Sequence, residues 1–345
     1  MRERGGTLSK ENGEQIAVVG ASGYVANRLV PALLDKGHMV VACARRRGSL
    51  QERFWIRDER VRVEEVDVLD GRSLGIALAG CQAAYYLVHS MNPEQEDFAE
   101  ADRVGARSMV DASEEAGVSR VIYLGGLGEE DPNLSKHLRS RVEVGNILLE
   151  GPVPTTVLRA AIIIGAGSAS FEIIRYLVNR LPFMLTPRWV QTESQPIAIS
   201  NVIKYLVGCL EVPGTADQSF DIGGPEVVTY IELMNFFAKE AGLSRRIILP
   251  VPVLSPRLSS YWIHLMTPVP SSIAQPLAEG LRNRAVCEND GILELVPQEL
   301  LSCRDAIRRA LDSPGPGVGE APVPESLYPG DAPWAGGSIS DEKDG

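Results

Sequence analysis

Four apolar residues, Ile16-Ala-Val-Val19, run without interruption into Gly-Ala-Ser-Gly-Tyr-Val at positions 20–25, where the apolar pattern changes from continuous to helical. A short continuous apolar run bounded by a glycine turn predicts a buried parallel strand. The 3.6-residue period that follows, with Val25, Leu29, Ala32 and Leu33 on one face, predicts a helix over 24–36, slightly bent at Pro31 where one backbone hydrogen bond is missing. His38-Met-Val-Val-Ala-Cys-Ala44 then supplies a second apolar strand, closing a strand–helix–strand unit of about 30 residues.

Glycines at 20 and 23 with Ala26 after them make this unit the start of a dinucleotide-binding fold. Gly20 allows the tight turn, Gly23 lets backbone amides approach a pyrophosphate, and Ala26 permits close helix-to-strand packing. The helix N-terminus adds partial positive charge.

The alternation continues along the chain. Strands are expected at 61–68, 83–88, 120–124 and 155–164, separated by helices at 72–79, about 98–116 with Gly117 as its cap, and 137–150. Strands alternating with helices of this length predict an α/β fold, a doubly wound parallel sheet covered on both faces. Beyond Gly165 the pattern loosens into a helix near 171–179, a turn through Pro182 and Pro187, a helix near 201–210 and a short strand at 219–222. Four segments are therefore expected. Residues 1–14 form a disordered N-terminal tail, and 15–165 the nucleotide-binding Rossmann domain. Residues 166–312 hold the remaining Rossmann elements plus a smaller mixed substrate or lid region, and 313–345 a disordered acidic Pro/Gly tail.

A chain of 345 residues with 44% hydrophobic content can bury a large core. Its net charge of −11 argues against a nucleic-acid partner, and the tail alone carries six acids against one lysine. Cys43, Cys81, Cys209, Cys287 and Cys303 show no metal-ligand or disulfide spacing, so no metal site is expected and a reducing cytoplasm fits. No run is long and apolar enough for a transmembrane segment. The segment 247–266, broken by prolines and arginines, reads either as a substrate-side loop and helix or as a patch making peripheral contact with a membrane or partner.

At the end of the second strand no acid follows Ala44; Arg45 and Arg46 stand there instead. A carboxylate would grip the 2′-hydroxyl of NAD, whereas arginine accommodates the 2′-phosphate, so NADP(H) is favoured over NAD(H). Arg159 lies inside an apolar strand and calls for a carboxylate or a ligand.

With these motifs placed, the chain resembles an atypical branch of the short-chain dehydrogenase/reductase superfamily, the NmrA-like and complex I accessory-subunit-like NAD(P)H-binding proteins. The resemblance runs over about 15–310. It is carried by the 20–25 motif, Tyr-Leu-Val-His-Ser-Met at 86–91, His-Leu-Arg-Ser-Arg at 137–141, Leu-Arg-Ala-Ala-Ile-Ile-Ile-Gly-Ala-Gly-Ser at 158–168, Pro-Arg-Trp-Val at 187–190 and Gly-Gly-Pro-Glu at 223–226. It implies a coenzyme site that includes Gly20, Ser22, Gly23, Tyr24, Val25, Arg45, Arg46, Asp67 and Val68 near the adenine, Val88, Gly125, Arg141 and Ile163. Conventional members use a Ser-Tyr-Lys triad. Here Gly125 and Gly126 occupy the serine region, and His137 and Arg141 replace the tyrosine and lysine at i and i+4, still on one helix face. Histidine, with an ordinary pKa of about 6.5, suits acid/base work, and His89 and Ser90 at the end of the fourth strand are further candidates. Two roles remain open: an oxidoreductase acting on a small carbonyl, quinone or sugar-like substrate, or a nucleotide-binding scaffold or redox sensor that engages a protein partner.

Overall fold

The two-residue alternation of β1 (Gln15–Val19) decides how the molecule is layered: Ile16 and Val18 face one side of the sheet, Ala17 and Val19 the other, and each pair belongs to a separate buried cluster. A strand buried on both faces needs helices on both. The computed structural model, described over residues 13–88, 98–128, 134–251, 267–312 and 323–336, supplies them. After β1 come α1 (Tyr24–Asp35), β2 (Met39–Ala44), β3 (Val61–Glu65), α2 (Gly71–Leu78), β4 (Ala83–Tyr86), α3 (Phe98–Glu115), β5 (Arg120–Gly126), α4 (Lys136–Leu149) and β6 (Thr155–Ala160).

The chain then runs through β7 (Ile163–Ile164), α5 (Ala169–Arg180), β8 (Phe183–Pro187), β9 (Glu193–Ser194), β10 (Ile197–Ala198), α6 (Ile199–Glu211) and β11 (Gln218–Ile222). These are followed by β12 (Val228–Thr229), α7 (Tyr230–Glu240) and β13 (Ile247–Val251). Later helices cover Ser271–Gly280, Ile292–Leu295 and Cys303–Asp312.

Seven strands form one parallel sheet in the order β11-β6-β5-β4-β1-β2-β3. The expected doubly wound α/β sheet is present. α1 and α6 cover one face through Leu29, Val30, Leu33, Val202 and Leu206; α2, α3 and α4 cover the other through Leu74, Leu78, Met109, Val144 and Leu148. The order of strands reverses between β1 and β4, which opens a crevice at their carboxyl ends. A third buried cluster joins α5, α7 and the Cys303–Asp312 helix outside the sheet.

Several boundaries differ from the sequence-based expectations, three of them with a visible physical cause or consequence. β5 extends to Gly126, so Gly125 and Gly126 lie within the strand. β3 stops at Glu65, because the next residues turn over the Asp67 carboxylate, which accepts the Leu69 amide at 3.0 Å. The strand expected over 155–164 breaks after Ala160, and β7 leaves the main sheet to pair with β10. Arg159 meets a carboxylate as expected, donating from Nε to Asp221 Oδ1 at 2.7 Å.

The largest correction concerns the tail. Residues 323–336, inside the stretch expected to be disordered, are packed against α1 and α5. The cause is Arg28, whose side chain is fully buried and needs compensation. Its Nε donates to Pro324 O at 2.7 Å and its Nη2 to Ser326 O at 2.7 Å, Ala166 O at 2.9 Å and Asp331 Oδ2 at 2.8 Å. The guanidinium lies over the rings of Tyr24 and Tyr328, at 3.8 and 4.5 Å. Asn27 also donates to Pro329 O and Asp331 Oδ1. Composition within 313–345 could not reveal this, because the stabilising partner lies three hundred residues away. Asp331→Ala should remove the carboxylate that Arg28 pairs with and destabilise the fold by about 3–5 kcal/mol, read as a lower urea midpoint at unchanged slope, whereas Asp331→Glu should restore part of the loss.

Candidate coenzyme site

The turn after β1 is held open by a backbone conformation that only glycine takes without strain. Gly20 has φ of +97°, and a Cβ there would stand 2.9 Å from the carbonyl carbon and oxygen of Leu87. The Gly20 and Ala21 amides both donate to Cys43 O, and the Gly23 amide to Gly20 O, so the turn is pinned between β1, β2 and β4. Gly23 is the N-cap of α1 with extended backbone, no side chain caps the helix, and its first turn contains no acid. The first-turn amides and the helix dipole are therefore available to a phosphate.

Above this turn lies a cleft of about 570 Å³, within the range of small-molecule and cofactor sites. It is lined from the carboxyl ends of β1, β2, β3 and β4, at the point where strand order reverses. Of the expected coenzyme residues, Gly20, Ser22, Gly23, Arg45, Asp67, Val68 and Val88 line it together. Tyr24, Val25, Arg46, Gly125, Arg141 and Ile163 are not in its lining. Tyr24 instead turns back beneath Arg28, and Arg46 is an exposed cap of the short 3-10 turn at Arg47–Leu50. Ile163 sits in β7, opposite Ile197.

Asp102, also in the lining, escaped the sequence reading. It lies on α3, is 8% exposed, and accepts a hydrogen bond from Ser140 Oγ of α4 at 2.8 Å. A carboxylate on the inward face of an amphipathic helix was the available signal.

His137 and Arg141 share one face of α4, as their spacing requires, but that face is packed. His137 is 6% exposed, and burial, with Arg141 one turn away, pushes its pKa down to about 3. It is therefore a neutral imidazole near pH 7, unlike the half-protonated group that its ordinary pKa promised. Arg141 lies against Gly126, where a Cβ would approach its Cδ to 3.2 Å, and its carbonyl accepts the Tyr123 hydroxyl at 3.3 Å. Arg141, Gly125 and Arg159 line a separate cavity of about 30 Å³ that shares no lining residue with the coenzyme cleft. His89 and Ser90 lie outside the described residues. Trp189 packs edge-on against Tyr230, ring centres 6.1 Å apart, which makes it a structural clamp.

Residues 20–150 match the protein-family model described as NAD(P)H-binding. Cinnamoyl-CoA reductase 1 of Petunia hybrida is 31% identical over 129 residues, which are 35% of this chain and 38% of that protein. The chain thus spans about two-fifths of the length of the first curated relatives it matches. Among solved structures, the Citrobacter triphenylmethane reductase complexed with NADP(H) superposes with a TM-score of 0.67 at 17% identity, covering 86% of this chain and 99% of that one. The Escherichia coli NADPH-dependent quinone oxidoreductase complexed with NADPH gives 0.66 at 15% identity, covering 86% and 100%. At such identities the likeness is one of fold. The family match adds that residues 20–150, which contain the glycine turn, fit an NAD(P)H-binding domain. No helix among the described residues is long and apolar enough to cross a membrane.

The depressed His137 pKa ties stability to pH. Unfolded, the imidazole takes up a proton near its ordinary pKa of about 6.5; folded, it does so only near 3, so the unfolded state binds more protons between these values. The His137 contribution is complete above pH 6.5 and is lost as pH falls toward 3. Urea unfolding at pH 7 and pH 5 should show this residue accounting for about 2 kcal/mol of the lost stability, and His137→Phe should lose correspondingly less over the same interval.

Proposed function

We propose that this chain is an NADP(H)-dependent oxidoreductase acting without a Ser-Tyr-Lys triad on a small acceptor. Residues 15–165 form its coenzyme domain, and 166–312 complete the sheet and overhang the site. One observation carries the reading: Arg45 lines the cleft at the carboxyl end of β2, where an NAD-specific site would place an acid. The triphenylmethane reductase and quinone oxidoreductase neighbours, both solved with NADP(H) or NADPH, support the same coenzyme.

In this reading Gly20, Ser22, Gly23 and the first turn of α1 hold the diphosphate, Arg45 the 2′-phosphate, and Asp67 and Val68 the adenosine end. Val88 lies next toward the nicotinamide. The bound coenzyme supplies a hydride. The chain's own task is to orient the acceptor and manage the proton, and here His137 is a poor acid because burial keeps it neutral. Reduction of a simple ketone develops an alkoxide, which demands a proton donor. Reduction of a quinone develops a delocalised anion that takes its proton from water. Judged on the described residues, the site is therefore better matched to quinones and similarly conjugated acceptors than to isolated carbonyls or sugar-like substrates. The five unpaired cysteines are compatible with work in the cytoplasm.

The buried, neutral His137 also favours a second reading, in which the coenzyme organises a binding surface for a protein partner and nothing is turned over.

Two measurements test the proposal. Arg45→Ala should weaken NADPH binding roughly tenfold or more, the loss of a hydrogen bond to a charged group, while NADH binding changes little; equal effects on both would remove the 2′-phosphate assignment. Across a panel of quinones, ketones and aldehydes, the protein should oxidise NADPH fastest with quinones, and oxidation no faster than buffer with every acceptor, despite NADPH binding, would favour the scaffold.

A further inference from the structure

The ribbon formed by β8 and β13 is apolar on both of its faces. Parallel pairing sets Phe183 opposite Ile247, Met184 opposite Ile248 and Leu185 opposite Leu249. Side chains alternate across a strand, so Met184, 4% exposed, turns onto the core of α5 and α7 together with Ile248. Phe183, Leu185, Ile247 and Leu249 face outward at 48, 57, 58 and 47% exposure. A ribbon whose outer face met only water would alternate apolar with polar. These four are among eleven large apolar side chains exposed among the described residues, and no two of the other seven share a strand or a strand pair.

Charge gives the patch a direction. Residues 180–191 and 244–251 contain no acid but four arginines, in a chain of net charge −11. Arg188 and Arg245 are exposed at opposite ends of the ribbon, and Lys239, near the end of α7, is exposed as well. The neighbouring acids Glu193 and Glu240 are already engaged by Arg284 at 3.0 Å and Arg308 at 2.9 Å. An apolar surface flanked by exposed cations on an otherwise acidic molecule complements an anionic interface rather than a second copy of the same acidic chain.

We propose that the β8–β13 ribbon is a peripheral docking surface for an anionic lipid bilayer, its four outward apolar side chains entering the acyl boundary while Arg188, Arg245 and Lys239 meet headgroup phosphates. The surface lies on the outer core of α5 and α7, and the inference does not depend on which reaction the coenzyme site supports.

Cosedimentation of the full chain with vesicles tests it. The protein should pellet with phosphatidylcholine vesicles containing phosphatidylglycerol and remain in solution with phosphatidylcholine alone. Arg188→Gln and Arg245→Gln should each weaken binding roughly fivefold, and the pair Leu185→Asp with Leu249→Asp should abolish it while thermal unfolding stays cooperative. Should that pair fail to fold, Phe183→Ser with Ile247→Ser probes the same face. Absence of binding to anionic vesicles, or binding that none of these variants alters, overturns the proposal. A concentration-dependent dimer broken by the same substitutions would assign the ribbon to a second copy and overturn it equally.

Discussion

The left-handed backbone at Gly20 is the constraint on which the coenzyme site depends. At φ of +97°, with the Leu87 carbonyl 2.9 Å from where a Cβ would be, the chain can leave β1 abruptly enough to point the N-terminus of α1 into the crevice between β1 and β4. Any other residue there would carry strain of about 1–3 kcal/mol in addition to the clash. The cleft, the uncapped helix amides and the placement of Arg45 and Asp67 all follow from where this turn sends the chain. Three strands hold it: its amides bond to β2, and its missing side chain makes room for the end of β4.

Behind the same turn a second device works from the far end of the sequence. Arg53 donates to the carbonyl of Ser22, and Asn27 and Arg28 project from α1; all three meet Asp331 of the 323–336 segment. A buried guanidinium is unfavourable by itself and becomes acceptable only when its donors are met, which is what Pro324, Ser326 and Asp331 accomplish. The late segment therefore packs on the back of the phosphate-binding helix, linked to the phosphate turn through Arg53.

Most of the sheet was legible in the sequence because strands buried on both faces read as continuous apolar runs, and the glycine spacing at 20–23 fixes both turn and helix start. Arg45 was found from its position at the end of the second strand, and Ser22, Asp67, Val68 and Val88 from the family resemblance; the cleft gathers them. What escaped depends on contacts distant in sequence. The break of β6 at Ala160 goes with the pairing of β7 to β10, and the packing of 323–336 with contacts to Asn27, Arg28, Arg53 and α5. His137 shows the same limit chemically: helical spacing identified its face, but only packing showed that face to be closed to water and the imidazole to be neutral. Asp102 illustrates the converse, an acid that helical periodicity marks as inward and that the Ser140 hydroxyl holds at the cleft.

The account stands or falls on the turn at Gly20 gripping a coenzyme diphosphate. Titration of the purified chain with NADPH, followed by the enhancement of its fluorescence, addresses this directly when repeated with Gly20→Val alongside a check that the variant still unfolds cooperatively. Saturable binding by the native chain that disappears in the folded variant is the predicted result; absence of any response in the native chain, or undiminished affinity in Gly20→Val, would contradict it.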